Sequence, residues 1–259
     1  MAIQLNDRDQ LIFKLIDEHQ VLLEKHISWF ISGEDKPVLI RDRLRKLFYL
    51  DYLLCHRHGT KLPWWTTPTK PLVYMLSPMS RNICGAQDHD IDLYDSNVQR
   101  HLLEVANLRM MYLIGVNEGD LSAFEWTTCK IADDVSKRLD AIVKFTVGSK
   151  AHKVGISNHP DANETLVANI EKSLATDGID SVLIVSRDEM HQQALQAKLA
   201  GSSVSRRCVF ATHHELYKHG IAKSKWQCAD QRLSDIFGAI VIDCTEAKTW
   251  TGPLAAVAI

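Results

Sequence analysis

Apolar positions in the first fifty residues recur at helical spacing. Leu11, Ile12, Leu15 and Ile16 make one stripe, Asn6 precedes it as an N-cap, and Asp7 and Asp9 suit the positive end of a helix. A first helix is therefore predicted to run to about His19. Residues 22–31 read as a second short helix on Leu23, Ile27 and Phe30. Gly33 breaks the chain, and Pro37 suits the start of a third helix over residues 38–50. There Leu39, Ile40, Leu44, Leu47 and Phe48 are apolar, while Arg41, Arg45 and Lys46 lie elsewhere on the circumference. Two strand-like runs follow, 52–56 and 71–76, joined by a loop with Arg57, Lys61, Pro63, Trp64 and Trp65.

Residues 77–100 are polar, with Pro78, Gly85 and several aspartates, and read as a linker. Helix 101–116 is apolar nearly all round and is expected to be buried. Strands are predicted at 124–129, 139–147, 152–156, 181–186, 208–211 and 239–243, with helices at 161–175 and 188–199 and a helical turn at 213–219. Strands alternating with helices of this length argue for an α/β or mixed sheet with helices on its faces. The expected fold class is α+β in two domains, residues 1–80 and 101–259, with 81–100 between them.

Composition narrows the classes. The 259 residues are 46% apolar and 24% charged, enough for a sizeable core. No segment approaches the ~18 apolar residues of a membrane span, and the start lacks a basic region followed by an apolar run, so a cytoplasmic protein without membrane contact is expected. Six cysteines without a CxxC pair read as reduced thiols, with neither a disulfide framework nor a zinc ribbon. The net charge of −2 hides an asymmetry. Residues 36–61 hold Lys36, Arg41, Arg43, Arg45, Lys46, Arg57 and Lys61 against only Asp42 and Asp51. A basic patch on one face attracts polyanions whatever the total charge.

Three helices followed by a hairpin is the order of a winged helix-turn-helix, in which the third helix enters the major groove and the hairpin loop touches the flanking backbone. Arg41, Arg43, Arg45 and Lys46 are the candidates for the groove, Arg57 and Lys61 for the flanking phosphates of double-stranded DNA. A protein–protein module is the alternative for the same elements. Other groupings carry less. Asp88, His89, Asp90 and Asp92 read as a solvated acidic loop, and Cys55-His56-Arg57-His58 lacks a second pair at zinc-finger spacing. His213, His214 and His219 near Cys208 read as surface residues at a helix start, and Trp64 and Trp65 as packing for the wing. No phosphate-binding GxxxxGK[ST] loop and no GxSxG elbow occur.

The opening LNDRDQLIFKLIDEHQVLLEKHISWFIS, then IRDRLRKLFYLDYLL and LVYMLS, resembles replication-relaxation proteins and the related MobC-type plasmid mobilisation proteins. HLLEVANLRMM followed by KRLDAIVKF resembles their second domain. The resemblance covers about residues 5–185 and implies a winged helix joined to a PD-(D/E)XK-type nuclease fold. In that fold an aspartate opening one strand and an acid–x–lysine pair on the next would hold Mg²⁺ or Mn²⁺ against a scissile phosphate.

Asp140 is the counterpart of the aspartate, but Gly155 stands at the acid and Ser157 at the lysine. The domain is thus expected to be catalytically degenerate and to need no cofactor. The resemblance implies DNA binding at a transfer or replication origin, together with other relaxosome or mobilisation proteins. Two alternatives stay open. One is a metal-dependent nicking relaxase using Asp140 with Glu164 and Lys172 from the following helix, Glu104, Asp133, Asp134 and Glu171 being further acids to weigh. The other is a repressor of transfer genes, acting as a homodimer.

Overall fold

A computed structural model describes residues 4–34, 37–60, 62–65, 67–86, 92–129, 139–229 and 233–234. The protein is α+β, and its chain divides into two units, Met1–Leu113 and Ile114–Ile259. In the first unit, α1 (Asp7–His19) opens with a reciprocal cap. Asp9 N–H donates to Asn6 Oδ1 at 3.0 Å, and Asn6 N–H donates to the Asp9 carboxylate at 2.9 Å. The elements that follow are β1 (Leu22–Leu23), α2 (Glu24–Ser32), α3 (Pro37–Tyr49), β2 (Leu53–Arg57) and β3 (Leu72–Leu76).

The three strands form an antiparallel sheet in the order β1-β3-β2, with Leu22 opposite Tyr74 and Leu53 opposite Leu76. The helices bury Ile12, Phe13 and Ile16, Ile27, and Ile40, Leu44 and Leu47 against this sheet in one cluster. Removing one such fully buried leucine, Leu44 for example, costs about 2–5 kcal/mol once the cavity is included.

Two sequence expectations change here. Leu22 and Leu23 form a strand and not the first turn of a helix, because both pair with β3. The stretch read as a linker holds α4 (Pro78–Cys84), with Ser77 as N-cap, Pro78 in the first turn and Gly85 in the left-handed region at its end. It also contains the start of α5 (Ser96–Asn117). His26 and Asn107 share a hydrogen bond of 2.8 Å, and Arg109 reaches Glu18 and His19. The first unit consequently extends to residue 113, well past residue 80.

In the second unit β4 (Ser122–Thr128), β5 (Ala141–Val147) and β6 (Lys150–Asn158) are antiparallel neighbours. Then α6 (Leu166–Thr176) leads to β7 (Ser181–Ser186), and α7 (Glu189–Leu199) leads to β8 (Cys208–Thr212). Each of these two strands runs parallel to the one before it, the pairing that a helical crossover permits. Next come α8 (His213–Lys223), kinked at Gly220, the antiparallel β9 (Trp226–Cys228) and β10 (Leu233–Ser234).

The sheet order is β10-β9-β8-β7-β6-β5-β4. Val182, Leu183, Ile184 and Val185 are all buried, so β7 is covered on both faces. Residues 239–243, expected as a strand, and the tail beyond them lie outside the described residues. Among the described residues no helix is long and apolar enough to cross a membrane.

Candidate functional site

The exposed surface of α3 is the first candidate. Ile40, Leu44 and Leu47 point into the core, which leaves Val38, Asp42, Arg45 and Tyr49 along the middle of the outer face, flanked by Leu39 and Lys46 on one side and Arg41 and Phe48 on the other. Val38, Leu39 and Tyr49 are 67%, 64% and 74% exposed. Exposed apolar side chains thus stand beside cations on the outer face of α3.

The four cations assigned to α3 divide by environment. Arg43 is turned inward: its guanidinium grips the fully buried Asp9 carboxylate through Nε at 2.6 Å and through Nη2. Burial by itself would raise the Asp9 carboxyl, but the Arg43 guanidinium and the Asn6 N–H outweigh it and hold the group below its ordinary value. Arg43 thus ties α3 to the first turn of α1 and is removed from the groove candidates. Arg41 is exposed and paired with Glu24 at 2.9 Å. Arg45 lies 3.5 Å from Asp42, with both side chains about two-thirds exposed (66% and 63%). The loose Arg45–Asp42 pair is worth about 0–1 kcal/mol, whereas Arg41 holds both Glu24 oxygens through Nε and one through Nη2. Lys46 is exposed.

In the hairpin loop Arg57 is exposed and donates to Lys70 O at 2.9 Å. Trp65 Nε1 donates to Thr69 O at 2.6 Å, so this indole folds the loop onto itself. Lys61 lies outside the described residues. His56 receives Gln99 Nε2 at 2.8 Å and His58 Nδ1 meets Thr60 O at 2.8 Å, which places both histidines in local hydrogen bonding.

The second candidate is the corner where β5 begins. Asp140 N–H donates to Ile156 O at 2.7 Å, and the Asp140 carboxylate accepts the Asn158 N–H at 2.6 Å. Ala141 pairs with Ile156, which sets Asp140 opposite Ser157. A Cβ on Gly155, however, would lie 2.6 Å from Leu139 Cδ1 and 2.8 Å from Ile179 Cδ1, both carbons of the buried core. A side chain there would have to push aside the ends of both Leu139 and Ile179.

Glu164 is exposed ahead of α6, not on it, because Asn163 Oδ1 takes the Thr165 N–H in a local turn and the helix starts at Leu166. Lys172 is exposed on α6, and Glu171 accepts the Ser203 hydroxyl. No metal-sized group of acids, histidines or cysteines among the described residues includes Asp140 or Glu164. These residues do not fit a divalent metal. Glu104 is buried and paired with Arg100, and Asp133 and Asp134 lie outside the described residues.

Nearby, His213 Nε2 meets Asn158 Oδ1 at 2.7 Å, and its ring lies 4.7 Å from that of His159. His213 is therefore buried at the carboxyl ends of the parallel strands and not on the surface as its sequence neighbourhood suggests. The chain matches no protein-family model and no curated protein.

Proposed function

We propose that this chain is a sequence-specific double-stranded DNA-binding protein of a bacterial mobile element, of the replication-relaxation and MobC-type kind, acting at a transfer or replication origin with other mobilisation proteins. The observation that carries the reading is the order of the first unit: α3 leads directly into a hairpin, and its outer face carries Arg45 and Lys46 among exposed Val38, Leu39 and Tyr49. A winged helix presents its third helix in this way, with cations for phosphate and guanine and apolar side chains for thymine methyls.

The second unit is read as a PD-(D/E)XK-like scaffold. Three antiparallel strands, a helix and a parallel fourth strand support that reading. Gly155 offers no ligand, and among the described residues Asp140 and Glu164 join no metal-sized group, which favours a domain that does not cut over the nicking alternative. The test is a selection of duplexes from a random pool on the full chain, followed by fluorescence anisotropy at several salt concentrations. A selected duplex that binds tightly, with log K falling linearly in log salt, is the expected result. Failure to enrich any duplex would overturn the reading.

A further inference from the structure

Asp42 is the single acid of α3, and it lies in the middle of the outward face, four residues after Val38 and three before Arg45. The arginines on either side of it in sequence are engaged elsewhere, Arg41 with Glu24 and Arg43 with Asp9. Arg45 Nη2 stands 3.5 Å from Asp42 Oδ1, and both side chains project well into solvent. An exposed pair of this kind adds little to stability. Asp42 also lies beyond the first turn, where the helix dipole no longer favours an acid, and aspartate is a weak helix former in a helix interior. The helix itself has no use for a carboxylate at this position.

On the DNA reading of α3, on which this inference rests, the same carboxylate carries information. Phosphates repel it, so a backbone contact is not its role. In the major groove the bases offer two N–H donors, cytosine N4 and adenine N6. Adenine sets the N7 acceptor beside its amino group, and a carboxylate has only acceptors, so cytosine is the base it favours. A guanidinium has five N–H donors, and one turned to Asp42 leaves the others for guanine O6 and N7. Three residues along a helix rise about 4.5 Å, close to the ~3.4 Å step between base pairs, so side chains at this spacing reach neighbouring pairs.

We infer that Asp42 and Arg45 are specificity residues that read two adjacent G·C pairs, Asp42 at the cytosine N4 of one and Arg45 at the guanine of the next.

Selection of duplexes from a random pool on the full chain tests it, followed by anisotropy on the selected duplex and on versions with A·T at either pair. The wild-type chain should select adjacent G·C pairs and lose about tenfold in affinity for each one replaced. Asp42→Ala should abolish the discrimination at one pair and keep it at the other. Asp42→Asn should turn the preference at that pair from cytosine to adenine, because an amide accepts from N6 and donates to N7. Position 42 is exposed, so both variants keep the fold. Selected duplexes without adjacent G·C pairs, or variants that keep the wild-type preference at both pairs, would overturn the inference and leave DNA binding standing. Enrichment of no duplex at all would overturn the DNA reading, and this inference with it.

Discussion

Gly155 and Leu139 compete for one position in the core of the second unit: a Cβ on Gly155 would sit 2.6 Å from Leu139 Cδ1, with Ile179 Cδ1 at 2.8 Å on the other side. Both neighbours are buried, so the ends of their side chains would have to shift within the core to make room. Gly155→Ala is expected to cost about 1–3 kcal/mol through overpacking, measured by urea denaturation. A cost near zero would show that the corner is looser than the packing around Gly155 indicates.

Gly155 bears on hydrolysis as well, because it offers no ligand. Supercoiled DNA incubated with the chain and Mg²⁺ or Mn²⁺ should remain supercoiled. Open circles that disappear in Asp140→Ala would instead restore a cutting role to the second unit. Asp140→Ala itself should cost about 1 kcal/mol, the worth of the bond from Asn158 N–H.

Arg43 and Arg45 sit two residues apart on α3 and should respond in opposite ways. Arg43→Met keeps the aliphatic stem but strands the buried Asp9 carboxylate, at a cost of about 3 kcal/mol. Arg45→Met should change stability by no more than about 0.5 kcal/mol. Equilibrium denaturation of the two variants side by side distinguishes them, and equal losses would refute the division.

DNA affinity should show the converse. Replacing Arg45 or Lys46 with glutamine should weaken binding to a selected duplex and reduce the salt slope by about 0.9 for each phosphate left without its cation. An unaltered slope would remove that side chain from the DNA-binding surface.

Acid should unfold the first unit through its histidines. Burial lowers His26 to about 4, against the bond its Nε2–H donates to Asn107 Oδ1, and burial together with the Arg109 charge holds His19 well below its ordinary value. Above pH 6.5 the rings are neutral in folded and unfolded chains alike. As pH falls from 6.5 towards 4 the unfolded chain takes up a proton that folded His26 refuses, so stability drops across that window by roughly 3 kcal/mol for this residue. Denaturation curves from pH 7.5 to 4 measure the drop, and His26→Gln should flatten it. An unflattened curve would place the titration elsewhere.

Much of the architecture was legible in the residues. Asn6 and Asp9 announced the cap of α1, and the unbroken apolar run of β7 marked both its ends at 181 and 186. Two-residue β1 was hidden because Leu22 and Leu23 are too few to show a period, and α4 because its polar composition masked the Ser77-Pro78 start. At the start of β5 the packing of Leu139 and Ile179 over Gly155 left no mark in the sequence, since the two converge on it only through the sheet. Arg43 looked like its neighbours because a partner 34 positions away leaves no local mark.

Asp9 serves two masters, the opening turn of α1 and the guanidinium of α3. The tilt of the third helix is therefore anchored from within. Positions 38, 42, 45 and 49, which face outward, can be rewritten like letters on a fixed plate without re-engineering the frame beneath them.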